Sequence, residues 1–140
     1  MKTVTSTTMW WLTFLSGALL VFIGIRFFAM PQVAETAFGI NTQTNGDLSF
    51  HYIKGGRDLV MGALFITLLL MKQYRALGVM LLTGTLVPSV DLWVVTSHPG
   101  YETARIYPHL TAIILCLVLG WYYIRRPVDQ SSFNIQLSQA

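Results

Sequence analysis

Charge is what this sequence has least of. Only 11% of its 140 residues are Asp, Glu, Lys or Arg, against roughly a quarter in an ordinary soluble domain, so water is not its main solvent. Cysteine is nearly missing as well. Cys116 stands alone inside an apolar run, which excludes an intramolecular disulfide and a multi-cysteine metal cluster and leaves the redox compartment undetermined. The formal charge of +3 is scattered among apolar stretches, so no basic patch offers a surface to nucleic acid. No local ligand motif such as H-E-x-x-H or C-x-x-C occurs, and the reading carries no metal and no cofactor. Internal repeats and low-complexity tracts are lacking, so nothing marks a second domain.

What is present is apolar length. Hydrophobic residues make up 54% of the chain and the mean hydropathy is +0.56. Four stretches, Met9–Phe28, Tyr52–Met71, Ala76–Thr96 and Ile106–Ile124, each approach the roughly 20 residues a spanning helix needs. The first follows Lys2 but exceeds the 7–15-residue core of a signal peptide and lacks a persuasive A-x-A site, so it is read as a retained helix. The expectation is an all-α fold, a four-transmembrane-helix bundle over residues 1–127 with a polar tail over 128–140.

Basic residues orient this bundle. Lys2, the Lys72–Arg75 turn and Arg125–Arg126 share one side, whereas Lys54 and Arg105 sit near the other, which puts both termini in the cytoplasm. Trp10 and Trp11 with Trp121, Tyr122 and Tyr123 then form an aromatic belt on the inner side. Pro31 ends the first helix, and Gln32–Ile40 follows as a short, partly apolar segment at the outer interface. Asn45-Gly46 is a turn signal and Asp47 an N-cap for the second helix. The Lys72-Gln73-Tyr74-Arg75 connection is short enough to make helices two and three antiparallel neighbours.

The second helix carries the unusual chemistry. His51-Tyr-Ile-Lys-Gly-Gly-Arg-Asp-Leu-Val-Met-Gly62 places ionisable groups where burial in lipid is costly, so they face a protein interior or a water-filled cavity and pair with one another. On a 3.6-residue period His51, Gly55, Asp58 and Gly62 share a stripe bordered by Lys54, while Arg57 lies about 100° from Asp58 and calls for a different partner. Pro88 and Asp91 lie at a helical neighbour spacing in helix three, as do Arg105 and His109 in helix four. Arg26, His51, Lys54, Arg57, Asp58, Asp91, Arg105 and His109 thus all fall in the outer half, from four different segments.

Each residue also has a plainer explanation. Arg26, two residues before the end of its helix, favours snorkelling over ligand contact, and Lys54 is similar. Asp58 and Asp91 fit equally a structural ion pair with Arg57 or Arg26 and a functional pocket. His51 reads as interfacial. His109 reads either as a satisfied structural histidine or as a site residue. Gly17 and Gly24, like Gly55 and Gly62, are seven residues apart, which lines each pair on one face for close helix approach.

Taken together, Gly24 through Pro31, Phe38-Gly39, Lys54-Gly55-x-Arg57-Asp58 with Gly62, Pro88-x-x-Asp91 and His109 resemble a family of small four-helix bacterial and fungal membrane proteins of unknown function, distantly DoxX-like. The resemblance covers most of residues 12–124. It implies a four-helix membrane fold and singles out Arg57, Asp58, Asp91 and His109, but brings no reaction with it. Two functional readings follow. In the first, an outer-leaflet pocket built on Arg57, Asp58, Arg26 and Lys54 binds a membrane lipid or small amphiphile, or the chain is an accessory subunit of a homo-oligomer or larger membrane complex. In the second, a small intramembrane isomerase, cyclase or hydrolase of an apolar substrate uses Asp91 as base and His109 as proton donor, with Arg57 stabilising developing negative charge. A metal held by Asp91, His109 and Asp58 ranks third, and a proton-coupled transporter lacks polarity in the inner halves.

Overall fold

The computed structural model describes residues 2–42 and 45–126. The polar tail expected at 128–140 lies outside the described residues. Within them the chain is helical, without strands: α1 Lys2–Ala29, α2 Pro31–Phe38, α3 Ser49–Leu70, α4 Tyr74–Gly84, α5 Leu86–Ser97 and α6 Ile106–Ile124, the last entered through a 3-10 turn at Thr103–Arg105. Three stretches are long and apolar enough to cross a membrane: Thr7–Ala29, Tyr74–Ser97, which runs through α4 and α5, and Thr103–Ile124. The 22-residue α3 has the length, but Lys54, Arg57 and Asp58 make it the most highly charged of the long helices.

Pro31 begins α2 rather than a loop, because proline at the first helical position gives up no needed N–H; Gly39 closes that helix at φ 109°, a conformation that suits glycine. The turn at Asn45 and Gly46 takes positive φ at both positions. Leu48, and not the expected Asp47, stands at the N-cap of α3, and no side chain caps it; Asp47, one residue earlier, accepts the Ser49 N–H at 2.9 Å in a local turn.

The third expected span is broken. Helix α4 stops at Gly84 and α5 resumes at Leu86, because Pro88 has no N–H to donate and its ring crowds the carbonyl four residues earlier, that of Gly84. Thr85 N–H turns instead to Leu82 O at 3.3 Å.

Close approach of α1 and α3 rests on paired glycines. A Cβ on Gly62 would lie 2.5 Å from Gly17 O, and one on Gly24 would lie 2.8 Å from Gly55 O. The four glycines therefore act as two facing pairs in antiparallel helices, as their seven-residue spacing anticipates. Gly78 and Gly120 serve α4 and α6 in the same way. Two apolar clusters result. Phe65, Leu69, Leu77, Leu81, Leu119 and Tyr123 fill the end where the first and last helices meet, and Phe27, Ala34, Phe38, Ile40 and Val95 fill the end covered by α2.

Candidate functional site

Between those clusters lies a set of interlocked charges. The glycine face of α3 carries Lys54 and Asp58 inward, and they are 6% and 3% exposed. Lys54 Nζ donates to Asp58 Oδ2 at 2.7 Å and to Asp91 Oδ2 at 3.2 Å. Arg57 Nε donates to Asp58 Oδ1 at 3.1 Å, and a terminal guanidinium nitrogen donates to both Asp91 oxygens at 3.0 and 2.9 Å. Two cations and two carboxylates thus close on themselves. Lys54 also sits 4.6 Å from the centre of the Phe38 ring and 5.2 Å from that of Phe27, where the aromatic faces favour a cation. Such mutual satisfaction makes four charges tolerable in an apolar surrounding.

The expectation that Arg57 and Asp58 need different partners is corrected by this geometry. The helical angle separates their Cβ atoms, but the long arginine side chain folds back, so Arg57 holds Asp58 and Asp91 together. His51 has a close partner on α2. It is fully buried within the protein, with Nε2 2.6 Å from Glu35 Oε2 and Nδ1 without a hydrogen-bond partner among the described residues.

Glu35 escaped the sequence reading. It lies on α2 with 4% exposure; one oxygen receives the Thr42 backbone N–H and the other faces His51. Burial pushes its pKa up, but the bonds from Thr42 and His51 outweigh that and leave it below the ordinary carboxylate value. An acid between Ala34 and Thr36, three residues before Phe38, in a short, partly apolar segment was the available signal.

His109, on α6, meets α2 instead of Asp91. Its Nε2 lies 3.1 Å from Phe38 O; a carbonyl only accepts, so Nε2 carries the hydrogen and donates it. No hydrogen bond or ion pair joins His109 to Asp91, and no group of three His, Cys, Asp or Glu placed to hold a metal forms among the described residues. Arg105 pairs with exposed Glu102 at 3.2 Å, apart from the cluster. Arg26 makes no ion pair among the described residues; its guanidinium carbon lies 5.8 Å from the Phe22 ring centre.

These groups border a cavity of about 710 Å³. Helix α1 supplies one wall from Ser16 to Phe27 and α6 the other from Tyr107 to Leu119, while Lys54, Asp58 and Asp91 line the interior and Ala34, Ala37 and Phe38 of α2 cover one end. Leu19, Phe22 and Tyr107 line it yet are more than half exposed, so the mouth opens sideways between α1 and α6. At the opposite end the two helices are tied together, because Tyr123 Oη lies 3.0 Å from Thr13 Oγ1 and donates to Met9 O at 3.2 Å. Arg26, Lys54, Asp58, Asp91 and His109 thus share one cavity, whereas Arg57 braces it from behind.

These features define an all-helical protein whose long apolar helices surround a partly charged, laterally open cavity. The chain belongs to the family described as Domain of unknown function (DUF4267), whose model matches residues 17–123. That span holds the whole charge cluster and, save Ser16, every residue that lines the cavity. No curated protein and no solved structure matches the chain.

Proposed function

We propose that the chain is a four-span integral membrane protein, one domain over residues 1–127 with both termini in the cytoplasm of a bacterial inner membrane, that binds a small amphiphile in its cavity from the outer leaflet. The observation that carries this reading is the cavity itself, apolar along α1 and α6, charged at the end beside α2 and open toward the side where lipid would lie. Its volume falls within the roughly 300–1,000 Å³ of known ligand pockets. Three apolar helices support the membrane setting. Helix α3 joins them as a fourth span because its charges are paired inward, and paired ionisable groups are the form in which a membrane tolerates them.

An acid–base enzyme finds less support. The Asp91 oxygens receive three hydrogen bonds from Lys54 and Arg57, so a proton-abstracting role requires this carboxylate to leave two cations, and His109 is turned to Phe38 O.

Cys116 lines the cavity and provides the test. With the protein in lipid nanodiscs, a bound single-chain amphiphile such as oleate slows alkylation of Cys116 by a small membrane-permeant maleimide, and Ala112→Trp, which fills the cavity, abolishes the oleate-dependent slowing. An alkylation rate indifferent to oleate and to every other amphiphile tried sinks the binding role. Topology is checked separately in a Cys116→Ala background: Glu102→Cys reacts with an impermeant thiol reagent in intact cells and Gln73→Cys does not.

A further inference from the structure

We infer that the cavity selects a single-chain amphiphile with an anionic head group and that Arg26 is the residue that recognises the anion; this rests on the binding role proposed above. The charge balance around the cavity leads to it. Lys54 and Arg57 are matched against Asp58 and Asp91 by five hydrogen bonds, so the cluster adds no net charge. His109 commits its Nε2 to Phe38 O. What remains unspent along the wall is Arg26, a permanent cation with no acid partner among the described residues, together with the hydroxyls of Tyr107 and Thr111 from the facing helix.

That donor set suits one kind of head. A guanidinium presents N–H groups in a planar fork that matches a carboxylate or a phosphate. A cationic head would meet like charge, and an uncharged one would leave Arg26 unmatched. Phe22, beneath the guanidinium and also in the wall, keeps the cation beside the cavity mouth. Size sets the tail. At about 30 Å³ for each water-sized group, the cavity holds roughly two dozen such groups, about the bulk of one acyl chain.

The test compares oleate, oleoyl lysophosphatidate and methyl oleate as protectants of Cys116 in nanodiscs of neutral lipid, with wild type, Arg26→Gln and Arg26→Lys. Both anions protect wild type better than methyl oleate, and the tighter of the two identifies the head as carboxylate or phosphate. Arg26→Gln loses at least about tenfold in apparent affinity for the anions and leaves methyl oleate unchanged, as expected when a charge-assisted bond is removed; Arg26→Lys keeps most of the affinity. Equal protection of wild type by methyl oleate and oleate, or an equal loss for all three ligands in Arg26→Gln, overturns the inference while leaving the binding role in place. Protection by none of them overturns both.

Discussion

Arg57 on α3 grips both carboxylate oxygens of Asp91 on α5 from a single guanidinium nitrogen, at 3.0 and 2.9 Å. Few other close approaches join these two helices, so the pair and its Lys54 and Asp58 neighbours act as the tie between them. Removing one member of a buried pair leaves a charge uncompensated and costs about 3–5 kcal/mol; Arg57 is one-third exposed on its side chain, which lowers the expectation to the bottom of that range.

Asp91→Asn is therefore expected to destabilise the detergent-solubilised protein, and Asp91→Asn with Arg57→Gln to recover much of the loss, because the cluster then retains only the Lys54–Asp58 pair at 2.7 Å. Thermal unfolding of the four members of this cycle gives the coupling directly. If the double variant is simply the sum of the singles, the tie is not electrostatic.

Gly62→Leu is expected to prevent proper assembly of α1 and α3. Even a Cβ meets Gly17 O at 2.5 Å and Val21 N at 2.8 Å, and backbone cannot yield as a flexible side chain does, so a cost above the usual 1–3 kcal/mol or so of overpacking follows. Gly56→Leu is the control, since nothing lies within 4 Å of a Cβ there. Similar folded yields for the two variants in size-exclusion chromatography would contradict the paired-glycine interface.

How much of this was legible follows from the kind of signal each residue leaves. Spacing of seven marks Gly17, Gly24, Gly55 and Gly62 because backbone contact depends on position alone. Helical level marks Arg26, His51, Lys54, Arg57, Asp58, Asp91, Arg105 and His109 as one stratum, and four of these eight, Lys54, Arg57, Asp58 and Asp91, do meet. Pairing within the stratum was beyond it, since Arg57 reaches across its own helix face by side-chain length. Glu35 left little trace: an eight-residue helix following a proline gives too short a period to show which face is buried. The break at Thr85 was open to inference from Pro88, but the unbroken apolar run around it masked the signal.

Glu35 gives the molecule a dependence on pH. Its carboxyl has a lowered folded-state pKa, so the stability it contributes is complete above the usual value of 4.5 and disappears as the pH falls through that value and then through the lower folded one. Acidification is expected to loosen α2 from α3, and Glu35→Gln to remove that part of the slope. Unfolding temperatures of wild type and Glu35→Gln measured from pH 7 down to pH 3 decide it; parallel curves would assign the acid sensitivity to other carboxylates.

The break made by Pro88 sets two effects of similar size against each other. Pro88→Ala restores a donor and removes a ring clash, a local helical gain of about 3 kcal/mol, but a straightened helix carries Asp91, less than one turn further on, away from Lys54 and Arg57, whose contacts account for a comparable amount. The net change in stability is therefore expected to be within about 1–2 kcal/mol, and stability alone is a poor readout. Coupling is a better one: Arg57→Gln should cost clearly less in the Pro88→Ala background than in wild type, because its partner has already moved. An equal cost in both backgrounds would mean that Asp91 reaches Arg57 whether or not the helix is broken, and that Pro88 has no part in assembling the charged wall of the cavity.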